Sequence, residues 1–72
     1  MILVKNKIEI YRRELNMTQQ DLAEKVKVSR QTIISLEKGR YNPSILLAHH
    51  IARVFQKNIE QVFIFEEEGN GQ

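Results

Sequence analysis

The sequence predicts an all-α domain of five short helices, completed by a small ribbon that joins the two ends of the 72-residue chain. Two observations support this fold class. Helix-capping residues precede apolar residues spaced three and four apart, at Asn6, Thr18, Ser29, Ser44 and Asn58. Short apolar, β-prone runs occupy residues 2–4 and 63–65.

The first helix is predicted to begin after Asn6 and to run to about Leu15. Ile8, Tyr11 and Leu15 have the i, i+3 and i+7 spacing that places them on one helix face. Asn16 is a suitable stop for this helix.

The second and third helices follow closely. Thr18 is expected to cap the second helix, with Asp21 near the positive end of the helix dipole. The inner stripe of this helix comprises Leu22, Ala23 and Val26. Ser29 is expected to cap the third, whose inner face comprises Ile33, Leu36 and Glu37. Gly39 ends the third helix, because a left-handed residue is common there.

Pro43 and the capping residues after it predict the remaining elements. Pro43 disfavours helix at Asn42, and Ser44 caps a fourth helix that extends to about Phe55, with an inner stripe of Leu47, Ala48, Ile51, Ala52 and Phe55. Asn58 caps a short fifth helix near residues 59–62. Residues 63–66 are then expected to pair with residues 2–4 as an antiparallel ribbon.

Length and composition predict one domain over residues 1–68 and a flexible tail at 69–72. Cysteine is absent, so disulfides are excluded. No apolar run approaches membrane-spanning length, and the N-terminal MILV is too short for a signal peptide. We expect a cytoplasmic protein with no membrane partner, cofactor or small-molecule ligand.

The net charge of +2 conceals an asymmetry. Residues 1–58 contain eleven basic and five acidic residues, which leaves +6, whereas residues 59–72 contain four acidic and no basic residues. This distribution suits a polyanionic partner held away from the acidic end, although chance segregation of solvated charge explains it equally well.

The third helix presents an unusual outward face. With about 100° per residue, the side opposite the inner stripe contains Arg30, Gln31, Ile34, Ser35 and Lys38. Arg pairs with guanine, Gln pairs with adenine, Ser bonds to several base edges, and an aliphatic group contacts the thymine methyl. This chemistry indicates DNA recognition more strongly than an ordinary solvated face.

From about Asn6 to Phe63, the chain resembles the Cro/C1-type (XRE, phage-repressor-like) helix-turn-helix family. The matching segments are Thr18-Gln19, Leu22-Ala23, Val28 to Ile33, Leu36 to Arg40, Asn42-Pro43-Ser44 and Ile51-Ala52. The resemblance implies a five-helix, lambda-repressor-like DNA-binding domain, with the helix-turn-helix at about residues 18–38.

The resemblance also implies roles for single residues. Arg30, Gln31 and Ser35 would contact bases, and the position of Thr32 and Ile34 makes them possible helpers. Phosphate contacts would come from Gln19, Lys38, Arg40, Tyr41 and Asn42, together with the helix end capped by Thr18. Arg12 and Glu37 match a buried ion pair of the family.

Two positions depart from the family pattern. Lys27 stands where the turn usually has Gly; a left-handed Lys costs about 1 kcal/mol, and Lys27 either strains the turn or adds a phosphate contact. Ile34 is an aliphatic residue on an exposed face. It either contacts a thymine methyl or is a stray exposed apolar residue with no role.

The chain ends are similar to those of a minimal, dimeric branch of this family. Phe63, Ile64 and Phe65 alternate faces in a strand, so a two-stranded ribbon cannot bury all three within one subunit. We therefore expect these residues at a homodimer interface, with a monomer that leaves them exposed as the alternative.

Together these features predict a sequence-specific regulator that binds double-stranded DNA, most simply a repressor on a palindromic operator. The alternative is an antitoxin-like or anti-regulator protein-interaction module on the same fold. No catalytic residues are evident, and no metal site is expected, because the adjacent His49 and His50 point about 100° apart on a helix.

Overall fold

The computed structural model describes residues 2–40 and 42–67. Over these residues the predicted fold class is confirmed: five helices accompany one two-stranded antiparallel sheet. In chain order the elements are β1 (Ile2–Asn6), α1 (Ile8–Glu14), α2 (Gln19–Val26), α3 (Arg30–Glu37), α4 (Ile45–Val54), α5 (Ile59–Val62) and β2 (Phe63–Glu67).

Side-chain caps set where α2, α3 and α4 begin. The Thr18 hydroxyl accepts a hydrogen bond from the Asp21 amide at 2.9 Å, and the Asp21 carboxylate accepts one from the Thr18 amide at 2.9 Å. The bond from the Thr18 amide, with a further contribution from the Thr18 side chain, lowers the pKa of Asp21 below its ordinary value, because it favours the ionised carboxylate. Ser29 and Ser44 each accept from the amide three residues later. The three caps lie where the sequence predicts them.

One apolar core joins all five helices and the start of β2. The predicted inner stripes of α2, α3 and α4 all contribute to it. Its buried members are Ile8, Leu22, Ala23, Val26, Ile33, Leu36, Ala48, Ile51, Ala52, Phe55, Val62 and Phe63. Because Ile33 and Leu36 are anchored in this core, the opposite side of α3 is held outward.

The two strands form the predicted ribbon in a defined register. Val4 pairs with Phe65, and Asn6 pairs with Phe63. The ribbon is longer than expected, since each strand has 5 residues. The extra pairs are Lys5 with Ile64 and Asn6 with Phe63, so β1 extends to the residue before the Lys7 cap of α1.

The start and end of α1 differ from the prediction. Lys7, not Asn6, is the N-terminal cap residue of α1. Asn6 belongs to the strand, where its side-chain amide donates to the Leu36 carbonyl at 2.7 Å while its side-chain oxygen accepts from the Ile8 amide at 3.2 Å. At the other end α1 stops at Glu14, and Leu15 is exposed rather than inward, whereas Arg12 is buried.

Candidate nucleic-acid interface

The outward face of α3 combines exposed and half-buried side chains. Arg30 and Gln31, the first two residues of α3, are exposed. Thr32, Ile34 and Ser35 are half-buried. The Thr32 hydroxyl lies 2.9 Å from that of Ser29, so it forms part of the cap as well as of the face. The Arg30 guanidinium and the Gln31 amide are therefore accessible, whereas the Ser35 hydroxyl belongs to a half-buried residue.

The start of α2 borders the same surface. An open groove is lined by Thr18, Gln19 and Gln20 on one side and by Arg30, Ile34 and Lys38 on the other. Residues of α1 and of the turn after it close its end. The fold thus brings predicted base-contacting and phosphate-contacting residues together, although they are separated by up to twenty positions in the sequence.

A polar network lies beneath this groove. The Arg12 guanidinium donates to both carboxylate oxygens of Glu37, at 2.7 and 3.2 Å, and to the Met17 carbonyl at 2.9 Å. The two side chains are only 9% and 7% exposed. The hydrogen bond to Glu37 raises the pKa of Arg12 above its ordinary value, although burial opposes this effect. The pair ties α1 and its following turn to the C-terminal end of α3.

Gln19 extends this network to the surface. Its side-chain amide donates to a Glu37 oxygen at 3.0 Å. An amide nitrogen has two N–H groups, so one remains available to a ligand above the groove. This contact was missed in the sequence analysis, because no local pattern links positions 18 residues apart in the chain. The contact orients a side chain that the sequence predicts for phosphate binding.

The chain after α3 turns at Gly39, whose φ of 70° lies in the left-handed region. The Arg40 amide donates to the Ser35 carbonyl at 3.0 Å, and the Gly39 amide donates to the Leu36 carbonyl at 2.9 Å. Lys38, Arg40 and Asn42 are exposed beyond the end of α3. Tyr41, also predicted to contact phosphate, lies outside the described residues, as does the predicted tail at 69–72.

The turn between α2 and α3 keeps its left-handed geometry without Gly. Lys27 ends α2 with φ 62° and ψ 45°, and its side chain is exposed. Its amide donates to the Ala23 carbonyl. Lys27 therefore adopts the left-handed conformation that favours Gly, with the backbone strain this brings to a residue with a Cβ atom.

A second surface, which we call the apolar cleft, lies on the side of the fold formed by α4, α5 and β2. It is lined by Asn42, Pro43, Ile45, Ala48, Ile59, Phe63 and Phe65. Phe65 is 58% exposed, whereas Phe63 is 2% exposed and belongs to the core of its own subunit. Phe63 and Phe65 share one face of β2, because side chains alternate along a strand, and both line the cleft. Their assignment to a dimer interface stays a prediction, to which the buried Phe63 contributes little exposed surface. Half-buried Ile64 and exposed Phe65 remain candidates.

Two further findings bear on the kind of site present. Within residues 2–40 and 42–67, no three His, Cys, Asp or Glu side chains lie close enough together to hold a metal ion. Among the described helices, none has the length and apolar character needed to span a bilayer.

This geometry defines a helix-turn-helix domain: a braced second helix, a tight turn, and a third helix with its polar face outward. The family described as Helix-turn-helix matches residues 8–62. The chain belongs to this family, of the Cro/C1 (XRE) type, as its sequence resemblance implies. This family consists of DNA-binding transcription regulators rather than enzymes.

Several proteins from distant organisms are similar to this chain. An uncharacterized HTH-type transcriptional regulator of Methanothermobacter thermautotrophicus is 57% identical, covering 86% of this chain and 91% of the relative. Another such regulator, of Archaeoglobus fulgidus, is 54% identical over 90% of this chain and 92% of the relative. A third such regulator, of Bacillus subtilis, is 45% identical over 90% of this chain and 98% of the relative.

A solved structure shares the fold. It is that of a candidate DNA-binding protein from Bacteroides fragilis, with a TM-score of 0.75 and 23% identity. The match covers 83% of this chain and 97% of the other. At this identity the similarity concerns the fold alone.

Proposed function

We propose that this chain is a sequence-specific transcription regulator that binds double-stranded DNA as a homodimer in the cytoplasm. The observation that carries the proposal is the outward face of α3, where Arg30 and Gln31 are exposed above a buried Ile33 and Leu36. A rigid helix with accessible guanidinium and amide groups is suited to reading base edges in a major groove.

In this proposal Arg30, Gln31 and Ser35 read base edges. Thr32 and Ile34, which are half-buried, assist. In this proposal the aliphatic Ile34 contacts a thymine methyl. The groove between α2 and α3 lets Gln19 bond to a phosphate with the N–H that Glu37 leaves unused. The other proposed phosphate contacts are the amide end of α2 at Thr18, together with Lys27, Lys38, Arg40, Tyr41 and Asn42.

A homodimer is proposed from the apolar cleft and Phe65. A two-fold axis through this surface lets each Phe65 contact the cleft of the other subunit, which removes both from water. Two copies of α3 about 34 Å apart would meet successive major grooves of a palindromic operator. Such a dimer could repress simply by occluding a promoter, and we propose repression on that ground.

Selection of binding sites from random duplexes tests this proposal directly. The purified protein is expected to enrich a two-fold symmetric consensus with half-sites about 10 base pairs apart. Enrichment of a single unrepeated half-site would contradict the dimer but leave sequence recognition intact. Enrichment of no sequence would contradict the proposed function itself.

Arg30 and Arg40 are expected to contribute differently to binding. Arg30→Ala should weaken binding to the selected site by about 1–3 kcal/mol and relax the preference at one base pair. Arg40→Ala should weaken binding to specific and random duplexes alike, and reduce the slope of log K against log salt by about one unit. Fluorescence anisotropy over a salt series measures both. If Arg30→Ala, like Arg40→Ala, weakens binding to the selected site and to random duplexes by the same factor, Arg30 does not read a base.

Lys27 gives a prediction in which stability and binding change in opposite directions. Lys27→Gly should raise the free energy of unfolding by up to about 1 kcal/mol, because Gly adopts the left-handed conformation without a Cβ clash. The same variant should bind DNA more weakly, with a salt slope smaller by about 0.9 for each subunit of the dimer. Lys27→Ala is the matched control, since it removes the charge but keeps the strain. A Gly variant with unchanged salt slope would show that Lys27 makes no phosphate contact.

The alternative function, a protein-interaction module, is favoured by one observation. Ile45 and Phe65 are exposed large apolar residues that line the apolar cleft. An antitoxin-like or anti-regulator chain would use this surface to hold a different protein. Co-purification of a stoichiometric hetero-complex from the native organism, with no dimer of the isolated chain, would support this reading over the homodimer.

A further inference from the structure

A second groove, which we call the basic groove, lies where the C-terminal end of α2 meets the outer side of α4. It is lined by Lys25, Val26, Lys27, His49, His50 and Arg53. Lys25, Lys27 and Arg53 are exposed, so three positive charges face one concave surface. The two histidine rings lie 5.9 Å apart between their centroids. Only Lys27 among these residues has a role in the proposal above.

The chemistry of this groove is that of a phosphate-binding surface. Lys offers ammonium donors, Arg offers a fork of N–H donors, and each imidazole ring carries at least one N–H in either protonation state. Asp21, one turn earlier on α2, interacts electrostatically with Lys25. However, no Asp or Glu is among the described residues that line the groove. An anionic ligand would therefore meet positively charged hydrogen-bond donors and no carboxylate of the groove lining.

The basic groove is separate from the groove beside α3. The two have no lining residue in common. They lie at opposite ends of α2, which has 8 residues and is therefore about 12 Å long. That separation exceeds the Debye length of about 8 Å at physiological salt. Phosphates bound at one groove would thus interact only weakly with the charges of the other.

The position of the basic groove relative to α3 indicates which phosphates it would meet. Lys27 lies two residues before the Ser29 cap and three before Arg30, the first residue of α3. The groove therefore lies beyond the N-terminal end of α3. A duplex that places base edges against Arg30 and continues past this end brings its flanking backbone towards Lys27, Lys25 and Arg53.

We propose that the basic groove binds backbone phosphates of the same duplex outside the base pairs read by α3. This inference rests on the proposed function, because it takes the duplex path from α3. The flanking contact is independent of sequence, since phosphates are identical at every base pair. It lengthens the footprint of each subunit and adds affinity that falls with salt.

The test compares two duplexes that carry the same selected site. One ends a base pair beyond the site, and the other extends about 10 base pairs further on each side, roughly one helical turn. Binding of the full chain is measured over a salt series. The wild-type protein is expected to bind the longer duplex on the order of tenfold more tightly. Its salt slope should be steeper by about 0.9 for each further phosphate, or about 3.6 if both subunits of the dimer engage two each.

The variant Lys25→Gln/Arg53→Gln should bind the short duplex like the wild type and lose the advantage of the longer one. Lys5→Gln/Lys7→Gln is the matched control, because it removes two positive charges from residues that line neither groove. The control should retain the advantage. Circular dichroism checks that both variants fold.

Three results would overturn the proposal. The wild type could bind both duplexes equally, or the groove variant could weaken both duplexes equally. The groove variant could instead bind single duplexes of both lengths like the wild type and lose only the ability to bind two duplexes at once. That result would mean that the groove binds a second duplex. If the wild type has no preference for the selected site over random DNA, the proposed function fails, and that result is distinct from these three.

Discussion

Arg12→Met is expected to lower the free energy of unfolding by about 3–5 kcal/mol, the cost of leaving a buried charge without its partner. The Glu37 side chain is 7% exposed and would lose both hydrogen bonds from the guanidinium. The Met17 carbonyl would lose its donor as well. Gln19 alone cannot compensate, because its single N–H contact replaces neither the charge nor the bidentate geometry. Urea denaturation followed by circular dichroism measures the loss.

Two controls distinguish loss of the Arg12–Glu37 ion pair from a general effect of Arg→Met on the free energy of unfolding. The double variant Arg12→Met/Glu37→Leu should recover much of the stability, since no unpaired charge then remains in the interior. Arg13→Met removes an exposed bridge to Glu9, where the side chains are 71% and 52% exposed, and should cost less than about 1 kcal/mol. A loss of the same size for Arg12→Met and Arg13→Met would show that burial of the pair is unimportant.

Phe65→Asp is expected to separate the proposed dimer and to reduce affinity for a two-half-site operator by at least about a hundredfold. Joined subunits gain about 10²–10⁴ in avidity over a single one, and a charge at the centre of an apolar contact removes that gain. Because Phe65 is 58% exposed within the subunit, the subunit itself should remain folded. Sedimentation equilibrium gives the mass, and anisotropy gives the affinity.

Ile10→Asp provides the matched control for Phe65→Asp. Ile10 is a large apolar residue with a similar exposure of 54%, but it lies on α1, away from the apolar cleft. Its aspartate variant should remain dimeric and bind the operator normally. On a duplex with a single half-site, Phe65→Asp should bind like the wild-type subunit. A Phe65→Asp protein that sediments as a dimer would contradict the proposed interface.

Local chemistry was sufficient to predict most of the helices. Thr18, Ser29 and Ser44 each cap a helix through a bond to an amide three residues away. Such contacts depend only on neighbours in the chain, so their pattern is legible in the sequence. The same holds for the strand-like ends, whose residues favour extended backbone, and for the left-handed residue Gly39.

The candidate site was predictable in part for the same reason. Helical periodicity places Arg30 and Gln31 opposite the buried Ile33 and Leu36, and the structure agrees. Periodicity assigns a side chain to one face of its own helix, which is why these positions could be predicted without knowledge of the neighbouring elements.

Contacts between distant segments decided the rest. Asn6 is the last residue of β1 rather than the cap of α1. It pairs with Phe63, and its side-chain amide donates a hydrogen bond to the Leu36 carbonyl. Phe63 turns into the core, Gln19 bonds to Glu37, and the basic groove forms only when α2 packs against α4. The residues involved are far apart in the chain, so no local spacing reveals them. Their positions depend on how the helices close around one shared core, and only the folded chain specifies that arrangement.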